Sequence, residues 1–207
     1  KDNIVYLDGG MGTLLIKEGL SSGENPGSWN LTHPNEVKKI HKAYFDAGSN
    51  VVITNTFGVN ALNFSDEEVE RIIEAAIGNA RNAQAESEGK QEKFVALDVA
   101  PLGKLLKPYG DMEFEDAVSI FARVAKAGEK FGADLAFIET MNDSLETKAA
   151  LLAVKENTSL PVFVSNAYGE DSKLMTGANP EAMIAMLEAI GADAIGVNCS
   201  LGPAELS

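Results

Sequence analysis

"DAGSNVVIT" at residues 46–54, "KFGADLAFI" at 130–138 and "AIGADAIGV" at 189–197 state one phrase three times: the end of an apolar helix face, a glycine, and a short buried run. A glycine just past the last apolar turn stops a helix, and a run of four or so apolar residues ending in a polar group reads as a strand. Working outward from these phrases, six runs of strand length recur, at 4–7, 51–54, 94–97, 135–138, 162–164 and 194–197. Between them apolar residues follow the helical period: Val37, Ile40, His41, Tyr44 and Phe45, then Val69, Ile72, Ile73, Ala76 and Ile77, then Phe114, Ala117, Val118 and Phe121. Leu145, Ala149 and Leu152, and then Met183, Met186, Leu187 and Ile190, repeat the pattern. Pro34 and Pro180 stand at first-turn positions, and Gly48, Gly132 and Gly191 at helix ends. The unit is therefore βα, at least five times over, in an α/β chain.

Strands that are apolar throughout, not in alternation, imply a parallel sheet covered by helices. A doubly wound sheet and a (β/α)8 TIM barrel both satisfy this. Asp8, Asn55, Asp98, Glu139, Asn166 and Asn198 all fall at or just past a strand's C-terminal end. A doubly wound sheet concentrates its chemistry near one switch point, so polar groups on nearly every strand favour the barrel. A barrel needs eight units and about 250 residues. The sequence stops at "CSLGPAELS", where a sixth helix would begin. The expectation is one domain over residues 1–207, a barrel truncated after about the sixth strand, as a piece of a longer polypeptide. Such a piece would carry two unpaired sheet edges, which a homo-oligomer or a partner domain would have to cover.

Of the 207 residues, 45% are hydrophobic and 23% charged, enough for one sizeable core. Lys and Arg number 17 against 31 Asp and Glu, a formal charge of -14, which argues against nucleic acid or an anionic membrane as partner. No apolar run reaches the roughly 18 residues of a membrane span, and "KDNIVYLDGG" lacks a signal-peptide pattern, so a cytoplasmic chain is expected. The one cysteine, Cys199, forms no internal disulfide and no complete zinc set.

Candidate chemistry gathers at the strand ends. In Asp8-Gly9-Gly10-Met11-Gly12-Thr13, three glycines in four positions let a ligand approach the backbone, where free N–H groups can hold a carboxylate or phosphate. The same turn also serves simply to pack a helix on a strand, and it is neither a dinucleotide fingerprint nor a Walker loop. Glu139 closes an apolar strand and needs a partner there, such as an ammonium group, while Asp143 and Ser144 are already available to cap the next helix. Cys199 is by position either a buried small hydrophobe or a ligand. Asn55, Thr56 and Asp98 can tie loops or touch a ligand. His33 and His41 read as structural, Trp29 as a lid over the helix that follows, and Asp66-Glu67-Glu68 as a helix start favoured by the dipole.

Taken together, "YLDGGMGT", "ITNTFGVN", "FIETMND", "MTGANP" and "IGVNCSLGP", five phrases in register over essentially the whole chain, resemble the homocysteine S-methyltransferase family. Within it the likeness is nearest to the N-terminal homocysteine-binding module of cobalamin-dependent methionine synthases. The resemblance implies a (β/α)8 barrel whose C-terminal mouth binds homocysteine and Zn2+, with zinc held by three cysteines. Cys199, in the Asn-Cys motif, matches the first of them. The adjacent pair expected after the eighth strand has no counterpart in this sequence. Asp8 and Glu139 match the positions that hold the substrate ammonium, Gly9, Gly10 and Thr13 the turn that receives its carboxylate, and Asn198, beside the metal ligand, is a further substrate-binding position. The implied reaction is methyl transfer to the homocysteine thiol, giving methionine. Methylcobalamin carried on a corrinoid domain and loaded from a folate-binding domain is the implied donor in the nearest branch, and S-methylmethionine or betaine in others. The competing reading is a non-catalytic barrel module that pairs with a partner or corrinoid domain. A Schiff-base lyase is disfavoured because no strand end carries a lysine.

Overall fold

The computed structural model describes residues 4–202 and 204. Five strands, β1 (Val51–Ile53), β2 (Phe94–Val99), β3 (Leu135–Met141), β4 (Val162–Asn166) and β5 (Ala194–Val197), form one sheet in the order β1-β2-β3-β4-β5. Every neighbouring pair is parallel. Each strand lies beside its predecessor, with no reversal of order, which is barrel winding and excludes the doubly wound alternative. The barrel is not closed. The helices are α1 (Gly12–Glu18), α2 (Trp29–Thr32), α3 (Pro34–Ala47), α4 (Asp66–Glu86), α5 (Phe114–Lys130), α6 (Ser144–Asn157) and α7 (Pro180–Ile190).

The run at 4–7 differs from expectation. Only Leu7 pairs with Val51, through an isolated parallel bridge. Ladder bonds nonetheless surround it: the Val51 N–H donates to the Tyr6 carbonyl (3.1 Å) and the Asp8 N–H to the Val51 carbonyl (2.9 Å). Ile4, Val5 and Tyr6 are each more than half exposed, because no described strand lies on their other side. The segment after 202, where a sixth helix was expected, is described only at Ala204 and so lies essentially outside the described residues.

The thrice-repeated phrase has a physical purpose beyond helix, stop and strand. The residue just before each strand reaches sideways to the start of the preceding run. Asp134 Oδ2 accepts the Val95 N–H (2.7 Å), Asp193 Oδ2 the Val162 N–H (2.8 Å) and Asn50 Oδ1 the Tyr6 N–H (3.0 Å). Arg81 and Lys155, from the outer helices, pair with the two aspartates. These carboxylates thus satisfy the first orphan N–H of the neighbouring strand and set the parallel register at the N-terminal end of the sheet.

Caps follow the sequence. Ser65 and Glu68 form a reciprocal capping box on α4, Asp143 accepts the Glu146 N–H on α6 (2.7 Å), and Asn179 accepts the Ala182 N–H on α7 (3.0 Å). The large core lies between the sheet and the helices, around Leu97, Phe121, Ile138, Leu151, Val164 and Leu187. Gly128 is required there: a Cβ on it would fall 2.4 Å from Leu97 Cδ2, so glycine lets α5 settle on β2. The inner face carries a smaller cluster of Val51, Ala96, Leu135 and Phe137 with Ile53 and Phe163. Its polar end is the C-terminal mouth.

Candidate functional site

A cavity of about 700 Å³ opens at that mouth, walled by the glycine turn and by the C-terminal ends of β1 to β5. Asp8, Gly9, Gly10, Glu139, Asn198 and Cys199 all line it, so six of the seven expected residues converge from three separate stretches of chain. Thr13 does not. It is the second residue of α1 and is exposed.

Asp8 leaves the bridge at Leu7 and turns its carboxylate across the sheet edge. Its Oδ2 accepts the Ile53 N–H (2.9 Å), and Oδ1 is buried with no hydrogen-bonding partner. Burial, together with the nearby Glu139 charge, pushes the Asp8 carboxyl up to about 7. The following turn is held from below by Tyr44 of α3, whose hydroxyl donates to the Gly10 carbonyl (3.1 Å). A Cβ at Gly9 would stand 3.0 Å from that hydroxyl, so a larger residue would have to push the tyrosine aside by a few tenths of an ångström.

Glu139, Thr140, Ser165, Asn198 and Cys199 form one connected group. The Asn198 amide orientation is fixed by groups that act in only one direction. Its Oδ1 accepts the Thr140 N–H (3.2 Å), which can only donate, and its Nδ2 donates to Glu139 Oε2 (3.1 Å), which as a carboxylate can only accept. Nδ2 also donates to Thr140 Oγ1 (2.9 Å), and the Ser165 hydroxyl donates to Oδ1 (3.0 Å). The Thr140 hydroxyl also lies 3.6 Å from Cys199 Sγ, within hydrogen-bonding distance for sulfur. Thr140 was not singled out by the sequence. It holds φ 60°, a left-handed conformation rare for a β-branched residue, where the β3–β4 register shifts. Such strain costs of order 1–3 kcal/mol and persists only where surrounding bonds enforce it, commonly at functional sites. Cys199 (φ 57°) and Ser200 (φ 50°) share that conformation, turning an exposed thiol into the mouth.

Asp98 lies beneath these groups, 2% exposed. Its backbone is locked by a chain of hydroxyls: the Asp98 N–H donates to Thr54 Oγ1 (3.0 Å), and the Thr56 hydroxyl donates to the Asp98 carbonyl (3.0 Å). Its carboxyl is within hydrogen-bonding reach of Glu139. Burial drives the Asp98 carboxyl well above the usual range, and burial likewise raises Glu139 against the lowering effect of its donors. Among the described residues, no Lys, Arg or His lines the cavity. Three carboxyls therefore face one space without a cation from the described residues. Such a space suits a ligand that brings its own positive charge.

The remaining candidates are structural. Asn55 lines the cavity, but its Nδ2 donates to the Pro26 carbonyl (2.7 Å) and its own carbonyl accepts from Asn30 Nδ2 (2.7 Å), tying the loop before α2 to the end of β1. Trp29 is buried against Leu15, Val37 and Ile40 and stacks on His33 at 4.0 Å. His41 is fully buried, and burial alone depresses its imidazole to about 4. Among the described residues no group of three or more His, Cys, Asp or Glu side chains forms a metal site, and no helix is long and apolar enough to cross a membrane.

Comparison with known proteins agrees with this geometry. The family profile for homocysteine S-methyltransferase matches residues 5–207. The chain is 31% identical to a methionine synthase of Mycobacterium leprae and 30% identical to that of Mycobacterium tuberculosis, over 99% of its own length in both cases. It spans 18% of the length of those proteins. The crystal structure of the homocysteine methyltransferase MmuM from Escherichia coli, in its apo form, superposes with a TM-score of 0.83 at 23% identity, covering all of this chain and 75% of that one. Its metallated form gives the same TM-score at 21% identity. The chain belongs to the homocysteine S-methyltransferase family, with the α/β fold of an unclosed TIM barrel.

Proposed function

We propose that this member of the family binds homocysteine at the barrel mouth and presents its thiol beside Cys199 for methylation, giving methionine. The observation that carries the reading is the placement, in one cavity, of an uncompensated carboxyl group and a thiol on strand ends. The α-ammonium pairs with Asp8, whose Oδ1 lacks a donor, and with Glu139. The backbone of Gly9 and Gly10 faces the α-carboxylate. Held at both ends, the amino acid extends its sulfur towards Cys199, so orientation is the chain's main contribution to rate. In the transfer, a sulfur lone pair forms the new S–CH3 bond as the methyl group's bond to its donor breaks, and the thiol proton has already passed to solvent. Asp8 and Glu139 orient and do not relay protons.

Cys199 fits zinc as one ligand: its sulfur is exposed in the cavity and its hydrogen-bonding neighbour, Thr140, is fixed. With one cysteine in 207 residues, the other sulfur donors must come from outside this chain. Zinc, when bound, supplies the Lewis acidity that keeps a substrate thiol as thiolate near neutral pH. Methylcobalamin on a corrinoid domain is the methyl donor we favour, from the likeness to methionine synthases. A lone unpaired cysteine and thiol chemistry both suit the reducing cytoplasm. A purely structural barrel module has no use for three carboxyls facing one cavity without a cation, which weighs against the non-catalytic alternative.

Calorimetric titration of the full-length protein with L-homocysteine and with 4-mercaptobutyrate, which lacks the amino group, tests the reading. Binding of the first and a loss of about tenfold or more for the second are expected. Equal affinity for the two would overturn it.

A further inference from the structure

The carboxyl group of Asp98 is more deeply buried than any other in the cavity, and it is the one for which the binding scheme above has no use. Its Oδ1 has no hydrogen-bonding partner, although the side chain is 2% exposed and lines the cavity. Its backbone N–H and carbonyl are both fixed by threonine hydroxyls at the end of β2. What it meets is Glu139. Two carboxylates in contact inside a low-dielectric site, with no cationic side chain among the described residues of the cavity wall, cannot both be charged, and the pair must hold a proton between them.

Their environments decide where that proton resides. Glu139 is half-buried and has Asn198 Nδ2 at 3.1 Å donating to it, with Thr140 as a further hydrogen-bonding neighbour. Asp98 has no such donor on Oδ1 and is fully enclosed. Pairs of titratable groups pushed apart in this way reveal their roles: the group surrounded by donors stays anionic and the group without them keeps the proton. We propose that Asp98 is a protonated positioning residue, which donates its carboxyl hydrogen to Glu139 and so holds Glu139 anionic and aimed at the substrate ammonium. This rests on the homocysteine reading only for what the ammonium belongs to. The shared proton stands independently of it.

The arrangement also explains why the chain places three acids where one cation binds. One of the three is neutral, so a single ammonium meets the two remaining carboxylates of Asp8 and Glu139 without leaving a large residual charge in the cavity. An asparagine can replace a protonated aspartic acid here, since its amide N–H donates the same hydrogen bond. An alanine cannot.

The experiment uses the full-length, zinc-loaded protein and its D98N and D98A variants. Infrared difference spectroscopy reads the carbonyl stretch of protonated carboxyl groups, and calorimetry reads homocysteine affinity. The expected result is an acid carbonyl band in the parent that D98N removes, homocysteine affinity in D98N within about threefold of the parent, and a loss of about tenfold or more in D98A with zinc content unchanged. A parent spectrum whose acid carbonyl band D98N leaves intact overturns the proposal, as does an affinity loss in D98N equal to that in D98A, which would mean that the ionised carboxylate itself is needed. If D98A does not fold, the D98N spectrum and affinity decide alone. If the parent fails to bind homocysteine at all, the substrate reading falls, and the band still decides whether Asp98 carries the proton.

Discussion

Glu139→Gln isolates the charge of the ammonium subsite from its shape. The glutamine side chain has the same size, so the half-buried position at the end of β3 stays filled. Its carbonyl oxygen can still accept from Asn198 Nδ2, which in the parent donates to Glu139 Oε2 at 3.1 Å. What is lost is the negative charge facing the substrate. A hydrogen bond to a charged group contributes about 1.5–3 kcal/mol against about 0.5–1.5 kcal/mol for a neutral one, so the exchange costs about 1–2 kcal/mol. At 1.4 kcal/mol per factor of ten, KM for homocysteine should rise about 5- to 30-fold. Asp8 remains to hold the ammonium, which keeps the loss below that of removing the subsite. The ammonium is equally engaged before and during methyl transfer, so kcat should stay within about twofold. Steady-state kinetics at saturating methyl donor, with zinc content checked in parallel, make the measurement. An unchanged KM with a reduced kcat would refute the reasoning, because it would place Glu139 at the reacting atoms.

Cys199→Ser should abolish stoichiometric zinc binding in the full-length protein while shifting the melting temperature little, since the side chain is exposed; atomic emission and a thermal melt check it. Thr140→Val removes the hydroxyl beside the Cys199 sulfur while keeping the branched shape, and zinc affinity should fall about 10- to 100-fold, with Thr140→Ser restoring most of it in a competition titration with a chelator. Asp8 titrates at about 7, and the carboxylate, not the acid, pairs with an ammonium, so homocysteine affinity should rise as pH increases from about 6 to 8 and flatten in Asp8→Asn. The same raised pKa means that the folded apo protein binds a proton which the unfolded chain has released between about 4 and 7, so its stability should fall as pH climbs through that window; denaturant melts read the slope. Gly128→Ala forces a Cβ to within 2.4 Å of Leu97 Cδ2 and should destabilise by about 1–3 kcal/mol, seen as a lower denaturant midpoint.

The legible parts of the fold were those with strong periodicity. α4 and α5, with their continuous apolar faces, and the strands that follow Gly48, Gly132 and Gly191 fall where the pattern places them. The run at 4–7 has the same apolar character but pairs only at Leu7, because strand pairing depends on neighbours that local sequence does not encode. α1 escaped notice because seven residues with Leu15 alone fully buried carry too little periodicity. Strand order settled what composition left open between barrel and doubly wound sheet. At the site, the rule that ligands sit at strand C-terminal ends brought out Asp8, Glu139, Asn198 and Cys199, and the family resemblance gave them roles. Thr13 was carried along by the glycine turn, yet as the second residue of helix α1 it does not line the cavity. Thr140 gave no signal, since its importance lies in a positive φ and in hydrogen bonds to residues 25 and 58 positions away. Asp98 was visible as a strand-end acid, but its enclosure against Glu139 is a property of the assembled sheet.

The central claim is that homocysteine lies with its ammonium at Asp8 and Glu139 and its sulfur at the Cys199 end of the cavity. X-ray absorption at the zinc edge of the full-length protein, recorded with and without L-homocysteine, tests it most directly. The account predicts one additional sulfur in the zinc coordination shell when homocysteine is added, and loss of the stoichiometric zinc signal in Cys199→Ser. A sulfur count that homocysteine leaves unchanged, or a stoichiometric zinc site that Cys199→Ser leaves intact, would contradict it.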